Sequence, residues 1–155
     1  MNIRKHTPLI AVVVLIIIGI ILRIYEFEGF ARFLSDEGRD AIIVKNIVTF
    51  QHFPAIGAPS SVGQVYLGPF YYYLIAPFLP LFAFNPVGLA FASFFYSIIG
   101  IVGIYYVLKK QEGFLLGIMT LFLMVTSLTL IEFARFSWNP NLLPYFSFFT
   151  LYFFY

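Results

Sequence analysis

The sequence predicts an all-α polytopic membrane protein with juxtamembrane helices in its first extracytoplasmic loop. Three observations carry this. The chain is 61% hydrophobic, 21% aromatic and only 10% charged, and its mean hydropathy is +0.93, a membrane composition. Its apolar residues fall into blocks of about spanning length, roughly 17–25 residues. Its charges gather in the breaks between the blocks. Composition also narrows the function. A net charge of +2 with no basic run beyond two residues argues against nucleic acid. With no cysteine, thiolate catalysis, disulfides and cysteine-based zinc are excluded. Two histidines, His6 and His52, give little basis for a histidine metal site.

The first block, "PLIAVVVLIIIGIIL", follows Arg4 and Lys5. A signal peptide shares that start, but the run leads into "RIYEFEGF", with no small-residue cleavage site. A first membrane helix is expected over about 7–24, with the two cations in the cytoplasm. Further helices are expected over about 86–108, 113–131 and 141–155. The last block is short and lacks a polar flank, so the chain is expected to be the N-terminal part of something longer.

Residues 68–84, "GPFYYYLIAPFLPLFAF", are at the short limit for a span and contain Pro77 and Pro80. If they span, Lys109 and Lys110 face outward; if they lie in the interface, both lysines face the cytoplasm, which the positive-inside rule prefers. The interfacial reading makes 25–85 one extracytoplasmic loop. It holds five of the seven acids: Glu26, Glu28, Asp36, Glu37 and Asp40. Glu132 falls in the second outer loop and Glu112 inside, so chemistry belongs on the outer face.

The most polar stretch is "FLSDEGRDAIIVKNIV". Ser35 is a good N-cap, and acids in a first turn suit the helix dipole, so a capped surface helix over about 36–51 accounts for it structurally. At 100° per residue Asp36, Asp40, Ile43 and Ile47 share one side, and no face is cleanly polar. That pattern suits a helix wedged between membrane and protein with carboxylates facing a cavity. A carboxylate there has the chemistry of a general base, taking a proton from an acceptor hydroxyl while a sugar leaves a phosphate. Arg39, Lys45 and Arg135 are candidates to hold the phosphate. The Asp36–Glu37 pair has the oxygens a divalent cation takes, although adjacent residues point apart on a helix. No cofactor is otherwise implied.

The order of features resembles a known family. A first membrane helix is followed by "SDEGRDA", then by "VYLGPFYYYLIAPFLPLF", a long helix ending in "LKK", and "EFARFSWNPNLLPYFSFF". This resembles the N-terminal part of GT-C glycosyltransferases, in the branch of the protein mannosyltransferases and the lipid A aminoarabinose transferase. The resemblance implies GT-C-type transmembrane helices and an active face outside the plasma or inner membrane. The donor would be a polyprenyl-phosphate sugar and the acceptor a glycan, lipid or protein. Asp36 would be the catalytic carboxylate, with Glu37 supporting it or lining the cavity. Tyr71, Glu132 and Asn139 would be candidate cavity residues. Two departures stand out: no lysine lies between Lys45 and Lys109, and the nearest acid to the second outer loop is Glu132. Taken alone, the 155 residues are expected to be inactive.

Plainer readings stand beside these. Trp138 and Tyr71–Tyr73 fit an interfacial aromatic belt, Glu132 and Arg135 a local i,i+3 ion pair, and His52 a polar interfacial residue. Gly100, Gly103, Ser93 and Ser97 fit close helix packing. The rival functions are a transporter or lipid-carrier component, for which broken hydrophobic segments would speak, and a truncated gene product.

Overall fold

A computed structural model describes residues 3–31, 33–60, 62–63 and 65–155. The side chains of residues 3–7, including the orienting pair Arg4 and Lys5 and also His6, lie outside the described part, as does Arg32. Among the described residues the regular elements are all helices, joined by turns and loops, with one isolated bridge between Pro59 and Tyr66. In order they form α1 (Ile3–Ile24), α2 (Phe27–Phe30), α3 (Ser35–Val48), α4 (Phe70–Ile75), α5 (Phe78–Leu81), α6 (Val87–Gln111), α7 (Phe114–Thr126), α8 (Leu128–Phe133), a 3-10 turn (Asn139–Leu142) and α9 (Leu143–Phe154).

α6 is the central element, touching α1, α4, α5, α7 and α9. Among the described residues it is the one helix long and apolar enough to cross a membrane. Its 25 residues rise about 38 Å at 1.5 Å each. It turns into α7 at Gly113, whose φ of 96° is a conformation that L side chains avoid. α9 packs on α6 through glycine. A Cβ on Gly100 would stand 2.4 Å from Tyr145 Cδ1, and one on Gly103 would stand 2.6 Å from Phe149 Cζ. Ser93 and Ser97 are buried on the same helix. Small residues there let the two backbones approach.

Residues 68–84, expected to lie in the interface rather than to span, form two short helices, α4 of six residues and α5 of four. These rise about 9 and 6 Å, so neither crosses a core about 30 Å thick. Pro77 starts α5 with φ −60°, which breaks the helical run between them. The expected helix 113–131 is split at Ser127, which adopts an extended backbone (ψ 115°) and begins α8. α3 also differs from the expectation, beginning one residue before the expected start. Leu34 is its N-cap and Ser35 its first helical residue.

Candidate functional site

α3 carries the acids, and its buried face is Glu37, Asp40, Val44 and Ile47, an i, i+3, i+7, i+10 stripe. The face packs on α4 and α5. Asp36 sits at its edge, where its side chain is 53% exposed, whereas that of Asp40 is 2% exposed. Arg39 joins the two. Its Nη1 donates to Asp36 Oδ1 at 3.0 Å, and its Nε donates to Asp40 Oδ1 at 2.9 Å, with Nη2 2.8 Å from the same oxygen. Burial pushes the Asp40 carboxyl above its ordinary value, and the hydrogen bond and charge of Arg39 pull it only part of the way back. The buried Tyr72 hydroxyl lies beside this pair, without a formed hydrogen bond. Burial, and then the charge of Asp40, raises its pKa.

Asp36, Arg39 and Asp40 line a cavity of about 400 Å3 together with Trp138, Asn139, Pro140 and the 58–60 segment. That volume lies within the range of small-molecule sites. The 58–60 segment belongs to a folded-back loop. Gly57 N donates to Leu67 O (2.8 Å) and Leu67 N to Ala58 O (2.9 Å). A Cβ on Gly57 would come within 2.3 Å of Gly68 O.

Glu37 does a different job. Because the N-cap is Leu34, Glu37 occupies N3, and its Oε2 accepts from Leu34 N at 3.1 Å. This is the reach-back half of a capping box. Glu37 also lines a second cavity, about 250 Å3, with Ala31, Phe33, Asn85 and Ser137. Asp36 and Glu37 therefore do not converge, and the carboxylates that share a cavity are Asp36 and Asp40. Among the described residues no group of three or more His, Cys, Asp or Glu is arranged to hold a metal ion.

The other sequence candidates are dispersed. Lys45 is exposed in the last turn of α3 and does not line the 400 Å3 cavity. Tyr71 is buried behind the site, its hydroxyl 2.8 Å from Ser137 Oγ, and burial raises its pKa. Asn139 lines the cavity. Arg135 makes no ion pair with Glu132: its Nη2 donates to Leu22 O and its guanidinium lies 4.4 Å from the Phe30 ring centroid. Arg135 and Glu132 share a small cavity, about 50 Å3, with Phe30 and Phe136. Sequence reasoning did not single out Arg23, which is 0% exposed. An arginine at the end of an apolar run reads simply as a flank.

Each of the three cavities draws on both of two stretches of chain: Phe30 and Arg135 line the 50 Å3 cavity, Glu37 and Ser137 the 250 Å3 cavity, and Asp36 and Asn139 the 400 Å3 cavity.

No family model matches the chain, and neither a curated protein sequence nor a solved structure matches it.

Proposed function

We propose that this chain carries the outer-face acid site of a polytopic membrane glycosyltransferase of GT-C type. It would transfer a sugar from a polyprenyl phosphate to a glycan, lipid or protein acceptor on the extracytoplasmic side of the plasma or inner membrane. The observation that carries the reading is the shared cavity of Asp36, Arg39 and Asp40 under Trp138 and Asn139. The membrane setting is supported by the surfaces of α1 and α7. Ile10, Val14, Ile17 and Ile21 of α1 and Leu115, Phe122 and Leu123 of α7 are exposed, more apolar surface than water tolerates.

Asp36 is the general base in this scheme. Its Oδ1 is engaged by Arg39, which leaves Oδ2 to take the proton of an acceptor hydroxyl. The acceptor oxygen forms a bond to the anomeric carbon, with inversion. The bond from that carbon to the phosphate oxygen breaks, and the polyprenyl phosphate leaves with the electron pair. Arg39 holds the Asp36 carboxylate and is itself held by Asp40. With both of its faces taken by carboxylates, Arg39 is a poor phosphate ligand. Arg135, which has no carboxylate partner among the described residues, is the cation for the phosphate. No step requires a metal, although a divalent cation bridging donor phosphate and carboxylate would be compatible with oxygen ligands. In a transfer assay on membranes containing the full protein, Asp36→Asn is expected to reduce turnover by about 10²–10⁴-fold. Undiminished transfer ends the assignment.

A non-enzymatic transporter or lipid carrier is the second reading, and the split of α7 from α8 favours it, since broken helices mark transport sites. The two part on one measurement: a carrier moves its lipid substrate across vesicles without any new glycosidic bond.

A further inference from the structure

Arg23 is fully buried near the end of α1 and has no carboxylate partner among the described residues. Its Nη2 donates to Met124 O at 3.0 Å and its Nη1 to Val125 O at 3.3 Å, with Gly19 O on its own helix at 3.1 Å. Met124 and Val125 are two residues before and one before the last residue of α7. In an unbroken helix their carbonyls would accept from the amides of Leu128 and Thr129, four residues on. Those amides have turned away, because Ser127 is extended and α8 starts anew, with Ser127 Oγ accepting from Leu130 N at 3.4 Å. The guanidinium therefore stands in for two missing amide donors. A cation at the negative end of a helix is also favoured by the dipole. The site is built for close approach: a Cβ on Gly19 would crowd Val125 Cγ2 at 3.1 Å.

We infer that Arg23 is a positioning residue: it holds α7 and α8 apart and thereby sets the second outer loop over the Asp36–Arg39–Asp40 cavity. Without it, residues 114–133 have a cheaper arrangement, one continuous helix of about 30 Å, in which buried carbonyls regain their amides. α8 would swing onto the axis of α7 and carry the loop with it. The loop moves as a unit because Asn141 Nδ2 holds Phe136 O at 2.9 Å and Asn141 N holds Trp138 O at 2.9 Å. This rests on the geometry alone and not on the sugar-transfer reading.

Trp138 is the single tryptophan; it lines the cavity and stacks on Phe136, with centroids 6.3 Å apart and planes at 21°. Its fluorescence therefore reports the loop directly. The test compares emission maximum and acrylamide quenching of the purified protein in detergent, with helical content followed by circular dichroism. Arg23→Met is expected to keep its helix content and to shift Trp138 emission and quenching. The double variant R23M/L128P is expected to return both towards wild type. Position 128 is the first helical residue of α8 and is exposed. A proline there supplies no amide to Met124 O, suits the extended Ser127 before it, and locks the break without Arg23. Leu128→Pro alone is expected to leave Trp138 unchanged. A folded R23M with wild-type Trp138 fluorescence overturns the inference, as does a failure of Leu128→Pro to rescue it. If R23M does not fold, the single variant L128P decides: an altered Trp138 signal there shows that the break is not the native state, and an unchanged one supports it.

Discussion

Removing Arg39 should destabilise the protein in a pH-dependent way that removing Asp40 does not reproduce. The Asp40 side chain is 2% exposed, and Arg39 is its one ion-pair partner among the described residues. Arg39→Met leaves that carboxylate buried without its cation. Breaking a fully buried pair costs about 3–5 kcal/mol. The Arg39 side chain is 34% exposed, so water reaches the vacated position, and a discounted loss of about 2–3 kcal/mol is expected at neutral pH. The sign with pH follows from Asp40. Burial raises its folded pKa above the ordinary 3.8, so the folded state binds the proton more tightly than the unfolded one. Its contribution is most favourable below the unfolded value and declines as pH rises through the folded value. Arg39 acts to lower that folded value. In R39M it moves further up, which extends the decline to higher pH. Protonation at low pH relieves the buried charge and should recover most of the loss. Asp40→Asn removes the charge and should flatten this component, and R39M/D40N should be milder than R39M alone. The assay is thermal unfolding in one detergent at a fixed scan rate, followed by circular dichroism from about pH 4 to about pH 9. A loss in R39M that is the same across that range, or a D40N variant as unstable as R39M, refutes the argument.

Two more expectations concern parts of the molecule that support the site. Glu37→Ala removes the acceptor for Leu34 N and should cost about 1 kcal/mol. Glu37→Gln keeps an acceptor at N3 and should lie near wild type in thermal unfolding; a Gln variant as unstable as Ala would show that the charge and not the cap matters. Gly100→Ala places a methyl 2.4–2.8 Å from Tyr145 Cδ1, Cγ and Cβ. It should cost about 1–3 kcal/mol by overpacking, whereas Gly29→Ala, with nothing within 4 Å, should change unfolding little.

Long-range partners decide which parts of this architecture were readable. α6 and the start of α9 were legible because apolar runs are bounded by Pro86, by Lys109–Lys110 and by Pro140. The division of 68–84 was signalled by Pro77. The split at Ser127 was not, because a serine within "FLMVTSLTLI" looks like any small residue in an apolar helix. Its cause, Arg23, lies about a hundred residues upstream and meets Val125 only in three dimensions. For α3, periodicity grouped Asp36 with Asp40, Ile43 and Ile47, while the buried stripe is Glu37, Asp40, Val44 and Ile47. With apolar residues on every side, the face that turns inward is chosen by α4 and α5. The adjacency of Asp36 and Glu37 also suggested a working pair. A shift of one residue in the N-cap, from Ser35 to Leu34, puts Glu37 at N3, and the capping bond diverts it.

The two aspartates of the cavity are unequal, and the inequality assigns their parts. Asp36 is half in water, with only its Oδ1 engaged by Arg39, and it is the carboxylate that the proposed scheme uses as its base. Asp40 is sealed, can hold its charge only with Arg39 beside it, and so acts as the anchor of Arg39. One guanidinium against two carboxylates leaves this cavity with a net negative charge. A donor phosphate would be repelled there, whatever hydrogen bonds Arg39 could offer. In the proposed scheme the donor phosphate is therefore matched to Arg135, which has no carboxylate partner among the described residues, and the sugar rather than the phosphate is the part of the donor that meets Asp36.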